Sequence, residues 1–322
     1  MEVGSLKLRN RIVMPPMATQ LATLEGEVTD RLVEHYEVRS KDLGLLIVEH
    51  TYVAKEGKAS TNQPGVYSDR LIPGLKKLVE AVHGHGTPIV LQINHAGSTT
   101  SKDVCGVQPL APSPVMHPTR GTELPRPFSR EEIDEVVKSF TKAAGRAAEA
   151  GFDAVEVHGA HGFLLNQFLS PLTNQRDDEY GGPLENRVRL SVAIITSIRE
   201  ELGSGFPLLF RLGAEDGLPG GLTLKEGMEA AKALAESRVD IIDVSGGLIG
   251  SRPSGVKGPG YYVPQAAAVK EAAGVPVIGV GGITTAEEAD EIIRSGKVDL
   301  VAVGRAMLKD PEWASKAVAS LN

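Results

Sequence analysis

Eight short apolar runs recur along this chain, and their regular return limits the folds open to it. They are RIVM (11–14), LLIVE (45–49), PIVLQI (88–93), AVEVH (154–158), PLLFRL (207–212), DIIDVS (240–245), PVIGV (276–280) and DLVAVG (299–304). Most are rich in Val, Ile and Leu and lack polar alternation, which is how strands covered on both faces read in a parallel sheet. Longer amphipathic stretches lie between them. The segment 29–42 follows Thr29 and Asp30, either of which can cap a helix. The segment 71–84 runs into HGHG, and 130–150 follows Ser129 with Glu131 and Glu132 in its first turn. Further helices are expected at 184–202, 222–237, 263–273 and 285–295. Strand and helix alternating eight times give an α/β (β/α)8 TIM barrel, with a doubly wound open sheet as the alternative.

The chain has 322 residues, and no linker or repeat divides it, so residues 1–322 read as one barrel domain. Two connections are long. Residues 96–128, after strand three, hold six prolines, and residues 246–262, after strand six, are rich in Gly, Ser and Pro. Both follow strands, which places them on the rim where barrels carry their chemistry. The net charge of −7 argues against nucleic acid or an anionic membrane as a partner. No apolar run is long enough to span a bilayer. The start, MEVGSLKLRNRIVMPP, lacks the apolar core of a secretory signal, so a cytoplasmic location is expected. The single cysteine, Cys105, leaves no disulfide framework and no four-cysteine iron–sulfur cluster.

The densest chemical signal is VEVHGAHGFLLNQFLSPLTNQRDDEYGG, residues 155–182. His158 ends strand four and His161 follows three positions later. One helical turn would bring both imidazoles to one face. Two ring N–H groups aimed at one point can hold a carbonyl or nitro oxygen and stabilise charge that develops there. The same spacing suits half a metal site, or a pair that only ties down a loop. The glycine-rich turns GVGGI (279–283) and AVGRAM (302–307) follow strands seven and eight, where barrels commonly bind phosphate through backbone N–H groups. Arg305 would add a charge-assisted bond. Arg211 ends strand five and Gln92 lies near the end of strand three. The partner of Arg211 is either a nearby carboxylate, Glu215 or Asp216, or an electron-rich ring of a cofactor. Of the other histidines, His50 follows strand two and is placed to touch a cofactor. His95 falls near the rim, His35 on the first helix, and His83 and His85 at a helix end. His117 reads as solvated, and Cys105 as incidental.

Taken together these motifs resemble the old yellow enzyme family of FMN-dependent oxidoreductases. LKLRNRIVMPPMAT, LQINHAG, HGAHGFLLNQFLSPLTNQRDDEYGGPLENRVR, GVGGI and AVGRAM carry the likeness, which runs along almost the whole chain. It is most similar to the bacterial branch that includes the barrel of 2,4-dienoyl-CoA reductase. The resemblance implies that backbone groups of Pro15, Pro16, Met17 and Ala18 face the flavin. Gln92 and Arg211 would bond its pyrimidine end, and Gly281, Gly282, Gly304 and Arg305 would hold its phosphate. His158 and His161 would bind the oxygen that activates the substrate. NADH or NADPH would give hydride to the flavin, which would pass it to an activated alkene or another small electron-poor acceptor.

Two positions depart from the family pattern. Phe163 stands where many relatives carry a tyrosine that protonates the product, so the proton would come from water or from Tyr261 or Tyr262. Ala18 stands where Thr or Cys is frequent, which lowers the expected flavin potential. Unlike that reductase, the chain stops just past the last barrel helix, so electrons are expected from the nicotinamide directly or from a partner protein. A homo-oligomer is expected. Two other readings are a flavin-binding electron-transfer subunit and a flavin-free phosphate-binding lyase or isomerase. No strand-end lysine suited to a Schiff base supports the latter.

Overall fold

The computed structural model describes residues 1–253 and 255–321, so Ser254 in the 246–262 connection and Asn322 lie outside the described residues. Eight parallel strands close into a barrel: β1 (Ile12–Met14), β2 (Leu45–Tyr52), β3 (Ile89–Asn94), β4 (Ala154–Gly159), β5 (Leu208–Gly213), β6 (Ile241–Ser245), β7 (Val277–Val280) and β8 (Leu300–Ala302). β8 pairs with β1 and completes the ring, which excludes the open sheet.

Each strand begins within one residue of its expected start. The ends differ more: β2 extends to Tyr52 and β8 stops at Ala302. Alternate residues of each strand enter two different apolar cores. Val13, Leu45, Ile47, Val90, Ala154, Leu209, Ile241, Ile278 and Leu300 fill the inside of the barrel. Leu46, Val48, Leu91, Val155, Leu208, Phe210 and Ile242 face the surrounding helices. Both faces are therefore covered, the reason the strands read as unbroken apolar runs. A short hairpin, Glu2–Val3 with Leu6–Lys7, presses Leu6 into the inner core from the N-terminal end.

The outer ring includes α1 (Asp30–Ser40), α2 (Ile72–His83), α3 (Arg130–Glu149), α4 (Arg189–Leu202), α5 (Leu224–Glu236), α6 (Val263–Ala273) and α7 (Ala286–Arg294). Thr29, rather than Asp30, caps α1 by accepting from the Leu32 N–H. Ser129 with Glu132, Thr223 with Glu226, and Thr285 with Glu288 form reciprocal capping boxes that satisfy the free first-turn donors. The helix expected over 184–202 is divided into Leu184–Arg187 and α4. At the junction, the buried Arg187 guanidinium reaches the Leu169 carbonyl and Glu226.

The connection after β3 contains a one-turn helix, Lys102–Cys105, and a small ladder between Leu110–Ala111 and Arg126–Pro127. Thr119 Oγ1 donates to the Leu248 carbonyl at 2.6 Å, tying this connection to the one after β6. Cys105 is buried and donates to the Val107 carbonyl. Among the described residues no helix is long and apolar enough to cross a membrane.

Candidate active site

Strand alternation delivers the polar residues of the site. On β3 to β6 the inward positions change from apolar to polar toward the C-terminal end: Val90 then Gln92, Ala154 then Glu156 then His158, Leu209 then Arg211, Ile241 then Asp243 then Ser245. Register places Gln92 beside Glu156, and Arg211 beside Asp243. Gln92 Nε2 donates to Glu156 Oε1 at 2.8 Å. Arg211 Nε lies 3.1 Å from Asp243 Oδ2, an ion-pair contact without hydrogen-bond alignment. The ordinary partner of Arg211 is therefore Asp243, not Glu215 or Asp216. Glu215 instead accepts from Gln265. Asp216 accepts from Ser170 and from the Leu222 and Leu248 N–H groups.

All four residues of this layer are buried, and it holds two carboxylates against one guanidinium. Burial pushes both carboxyl pKa values up. The nearby Asp243 adds to the rise for Glu156, while Arg211 opposes it at both. Asp243, adjacent to Arg211, is the natural site for the negative charge, and Glu156 for the shared proton.

Above this layer stand His158 and His161, with ring centroids 5.2 Å apart and planes at 82°. No helical turn joins them. His158 ends β4, and His161 sits in a turn at φ +59°, a left-handed backbone that non-glycine residues seldom adopt. That turn is held from β6: His161 N–H donates to the Gly246 carbonyl at 3.0 Å, and His161 Nε2 lies 2.7 Å from Ser245 Oγ. The buried Nδ1 of His158 has no partner among the described residues. No group of three His, Cys, Asp or Glu among them is arranged to hold a metal.

Burial first, and then neighbouring charges, His161 and Arg211 for His158 and Arg211 and Arg120 for His161, push both pKa values well below the free imidazole range, so the pair is neutral at neutral pH. Below about pH 6.5, an unfolded chain binds protons that the folded pair refuses. Stability is lost as pH falls from there toward the folded pKa values, by up to about 1.4 kcal/mol per histidine per pH unit. A His158→Asn/His161→Asn variant is expected to lose less stability than the parent between pH 6.5 and 5.5, as measured by urea unfolding. Equal losses would show that the pair carries no such penalty.

Beside the histidines opens a cavity of about 530 Å³, lined by Pro15, Pro16, Met17, Ala18, His50, His161, Arg211, Gly282, Gly304 and Arg305. Ten expected site residues thus meet in one place. Three others lie just behind its wall: Gln92 in the polar layer, Gly281 in the β7 turn, and His158 at the end of β4. The Pro15–Ala18 segment is fixed by a buried residue that sequence reasoning passed over. Glu49 accepts from the Thr19 N–H at 2.9 Å and from Thr19 Oγ1 at 2.5 Å. His50 Nδ1 is 2.7 Å from Gln63 Nε2. At Gly281, φ is +130° and a Cβ would fall 2.7 Å from the Tyr261 backbone nitrogen, so only glycine fits this turn.

Arg120, Phe163, Ser251, Arg252, Tyr261 and Val280 complete the lining. Of these, Arg120, Ser251, Arg252 and Tyr261 come from the two long connections, whose course no strand or helix pattern encodes. Tyr262 is buried and donates to the Gly250 carbonyl, so of the two tyrosines only Tyr261 reaches the cavity. His117 is buried rather than solvated. Its Nδ1 accepts from the N–H groups of Thr119 (3.3 Å) and Arg120 (3.1 Å), and burial lowers its pKa to about 4. His95 is likewise buried, against Gly57, and does not line the cavity.

A family model described as the NADH:flavin oxidoreductase / NADH oxidase family matches residues 1–322. The NADH oxidase of Thermoanaerobacter brockii is 44% identical over 322 residues, covering 98% of this chain and 49% of that protein. The NADPH dehydrogenase of Geobacillus sp. (strain WCH70) is 40% identical over 321 residues, covering 99% of this chain and 92% of that protein. The chain therefore spans about half the length of the first relative and most of the second. Among solved structures, a 2-naphthoyl-CoA reductase complex superposes with a TM-score of 0.94 at 28% identity, over 99% of this chain and 51% of that one. An old yellow enzyme homologue from Zymomonas mobilis superposes with a TM-score of 0.87 at 27% identity, over 100% and 92%.

Proposed function

The chain belongs to the NADH:flavin oxidoreductase / NADH oxidase family, and from that premise we propose that it uses FMN and NADH or NADPH to reduce an activated alkene whose carbonyl oxygen His158 and His161 hold. The observation that carries this reading is the neutral imidazole pair beside a cavity with a cationic lining. A neutral imidazole donates one N–H without a competing positive charge. Two such donors converging on one oxygen stabilise the charge that grows there as the β-carbon accepts hydride. The oxidoreductase assignment leaves no place for a flavin-free lyase or isomerase.

The residues present fit FMN. Gly281 and Gly282 form a turn too tight for any side chain, beside Arg305, which suits a phosphate held by backbone N–H groups and one guanidinium. Pro15, Pro16, Met17 and Ala18 line one wall against which a ring would rest. Asp243 engages Arg211 through Nε, leaving its terminal nitrogens for a carbonyl edge, with Gln92 in the same layer. When bound, FMN supplies the hydride chemistry, taking it from the nicotinamide and giving it to the acceptor. The protein's part is to orient both partners and to hold the acceptor's oxygen.

Protonation of the product is the step for which this chain departs from its relatives. Phe163 stands 5.0 Å from His158 and 5.1 Å from His50 by ring centroids and has no proton to give. The Phe163→Tyr variant is expected to raise enone turnover, since a placed general acid contributes about 10²–10⁴-fold. An unchanged rate would mean that water or Tyr261 already supplies the proton.

The whole reading is tested with the purified protein. It is expected to be yellow, to bleach anaerobically with NADH or NADPH, and to recolour on adding an enone but not a saturated ketone. Recolouring by a quinone alone would favour the electron-transfer subunit, and a colourless protein that takes up no FMN would remove the reading.

A further inference from the structure

The cavity wall carries four arginines, Arg120, Arg211, Arg252 and Arg305, and not one carboxylate, in a chain whose net charge is −7. Two of the four have a role. Arg211 pairs with Asp243, and Arg305, which donates to the Tyr261 hydroxyl at 3.3 Å, sits at the turn read as a phosphate site. Arg252 is on the connection that carries Tyr261. Arg120 comes from the opposite connection and has no ion-pair partner among the described residues. Its guanidinium carbon is 5.8 Å from the Phe163 ring centroid, and the same ring packs against His50 and His158. It also lies against Gly250, where a Cβ would fall 2.5 Å from its Nη2.

This placement is built rather than incidental. The turn that presents Arg120 is closed by the Gly121 N–H donating to the His117 carbonyl, and by the buried His117 ring accepting the Arg120 N–H. Thr119 fastens it to the β6 connection. Arg120 is an exposed residue, yet the chain packed around its guanidinium lowers its pKa, and no carboxylate offsets that cost. A guanidinium fixed at the mouth of a cavity that has no carboxylate in its lining marks a place where an anion is absent from the protein and supplied by a ligand. The Phe163 face beneath it adds a cation–π contact that helps to orient the guanidinium.

We propose that Arg120 binds an anionic group, a carboxylate or phosphate, carried by the acceptor whose carbonyl the histidine pair holds. The inference rests on the alkene-reduction reading and narrows its substrate class to negatively charged α,β-unsaturated carbonyl compounds.

Binding to the oxidised FMN-loaded enzyme tests it without turnover, through the change in flavin absorbance. The probes are 4-oxo-2-pentenoate against its methyl ester, and crotonyl phosphopantetheine against crotonyl N-acetylcysteamine. The anionic member of at least one pair is expected to bind tenfold or more tightly. The pair that shows the preference identifies carboxylate or phosphate as the source. Arg120→Ala is expected to bring the ratio below about threefold, and Arg120→Lys to restore part of it. In the unmodified enzyme the ratio should shrink between 0.05 and 0.5 M NaCl, a check that holds even if a variant fails to retain FMN. Equal binding of both members of both pairs, a ratio unmoved by Arg120→Ala, or a variant weakened toward NADPH instead of the acceptor would each overturn the proposal. Anion preference without reoxidation of the reduced flavin would leave the Arg120 site standing and remove alkene reduction. Reoxidation without preference would do the reverse.

Discussion

Replacing Arg211 with Met is expected to destabilise the apoprotein by about 3–5 kcal/mol, the range for breaking a buried ion pair from one side. The size follows from what is left behind. Asp243 and Glu156 are both buried, and Arg211 is the charge that opposes the rise of both pKa values. Without it, one or both must be protonated or remain as uncompensated charges in the barrel. The sign of the pH dependence is fixed by the same argument. A carboxyl whose folded pKa lies above its unfolded value binds a proton that the unfolded chain does not, so the folded state gains as pH falls through the folded pKa. The defect of Arg211→Met is therefore expected to be largest near pH 8 and to shrink toward pH 5, as read by urea unfolding. Arg211→Met/Asp243→Leu, which removes both partners, is expected to recover most of the loss, because a matched apolar pair can replace a buried ion pair at little cost. A single variant as stable as the parent at pH 8 would show that Arg211 does not hold these carboxylates. Both variants are also expected to lose affinity for FMN, which separates the residue's structural role from its role at the cofactor.

His158→Ala is expected to slow reoxidation of the reduced enzyme by an enone about 10²–10³-fold, the loss seen when one preorganised donor to a developing oxyanion is removed. His161→Ala is expected to do the same, with the double variant little worse than either single one, since two donors to one oxygen act as a unit. FMN content is expected to stay at the parent's level, because the two histidines stand over the cavity rather than in the turns that grip the phosphate. Ser245→Ala offers a gentler probe. Ser245 Oγ contacts His161 Nε2 at 2.7 Å, so its loss frees the ring without removing it. Stopped-flow reoxidation under anaerobic conditions reads all four variants. Unchanged rates in both single histidine variants would end the oxyanion role.

Much of this site can be read from local pattern. Each strand was visible because a residue covered on both faces must be apolar wherever it points, and the caps at Ser129 and Thr285 because a serine or threonine satisfies donors within its own turn. Glu156 and Asp243 were visible too, although only in hindsight. They are charged residues inside apolar strands, at the same inward positions as Gln92 and Arg211. What hid them was the absence of register: Gln92 and Glu156 are 64 residues apart, and their contact depends on how β3 and β4 align. Asp216, nearer to Arg211 in the chain, was the wrong partner because it lies beyond the end of β5 and is drawn into a loop network.

His117 and Arg120 mark the boundary more sharply. Both lie in a proline-rich connection with no period to read, and nothing local says that the loop folds inward. Its course is set by contacts with chain far away, among them Thr119 to Leu248 and the His117 ring against Gly162. The sequence alone determined the eightfold strand–helix alternation and most helix starts, because burial and capping act within a few residues, while the Pro15–Ala18 wall came only through the family resemblance. Only the closed tertiary structure decided which carboxylate faces Arg211, how the two histidine rings meet, and that Arg120 stands over Phe163, because those contacts join segments whose alignment is fixed when the last strand pairs with the first.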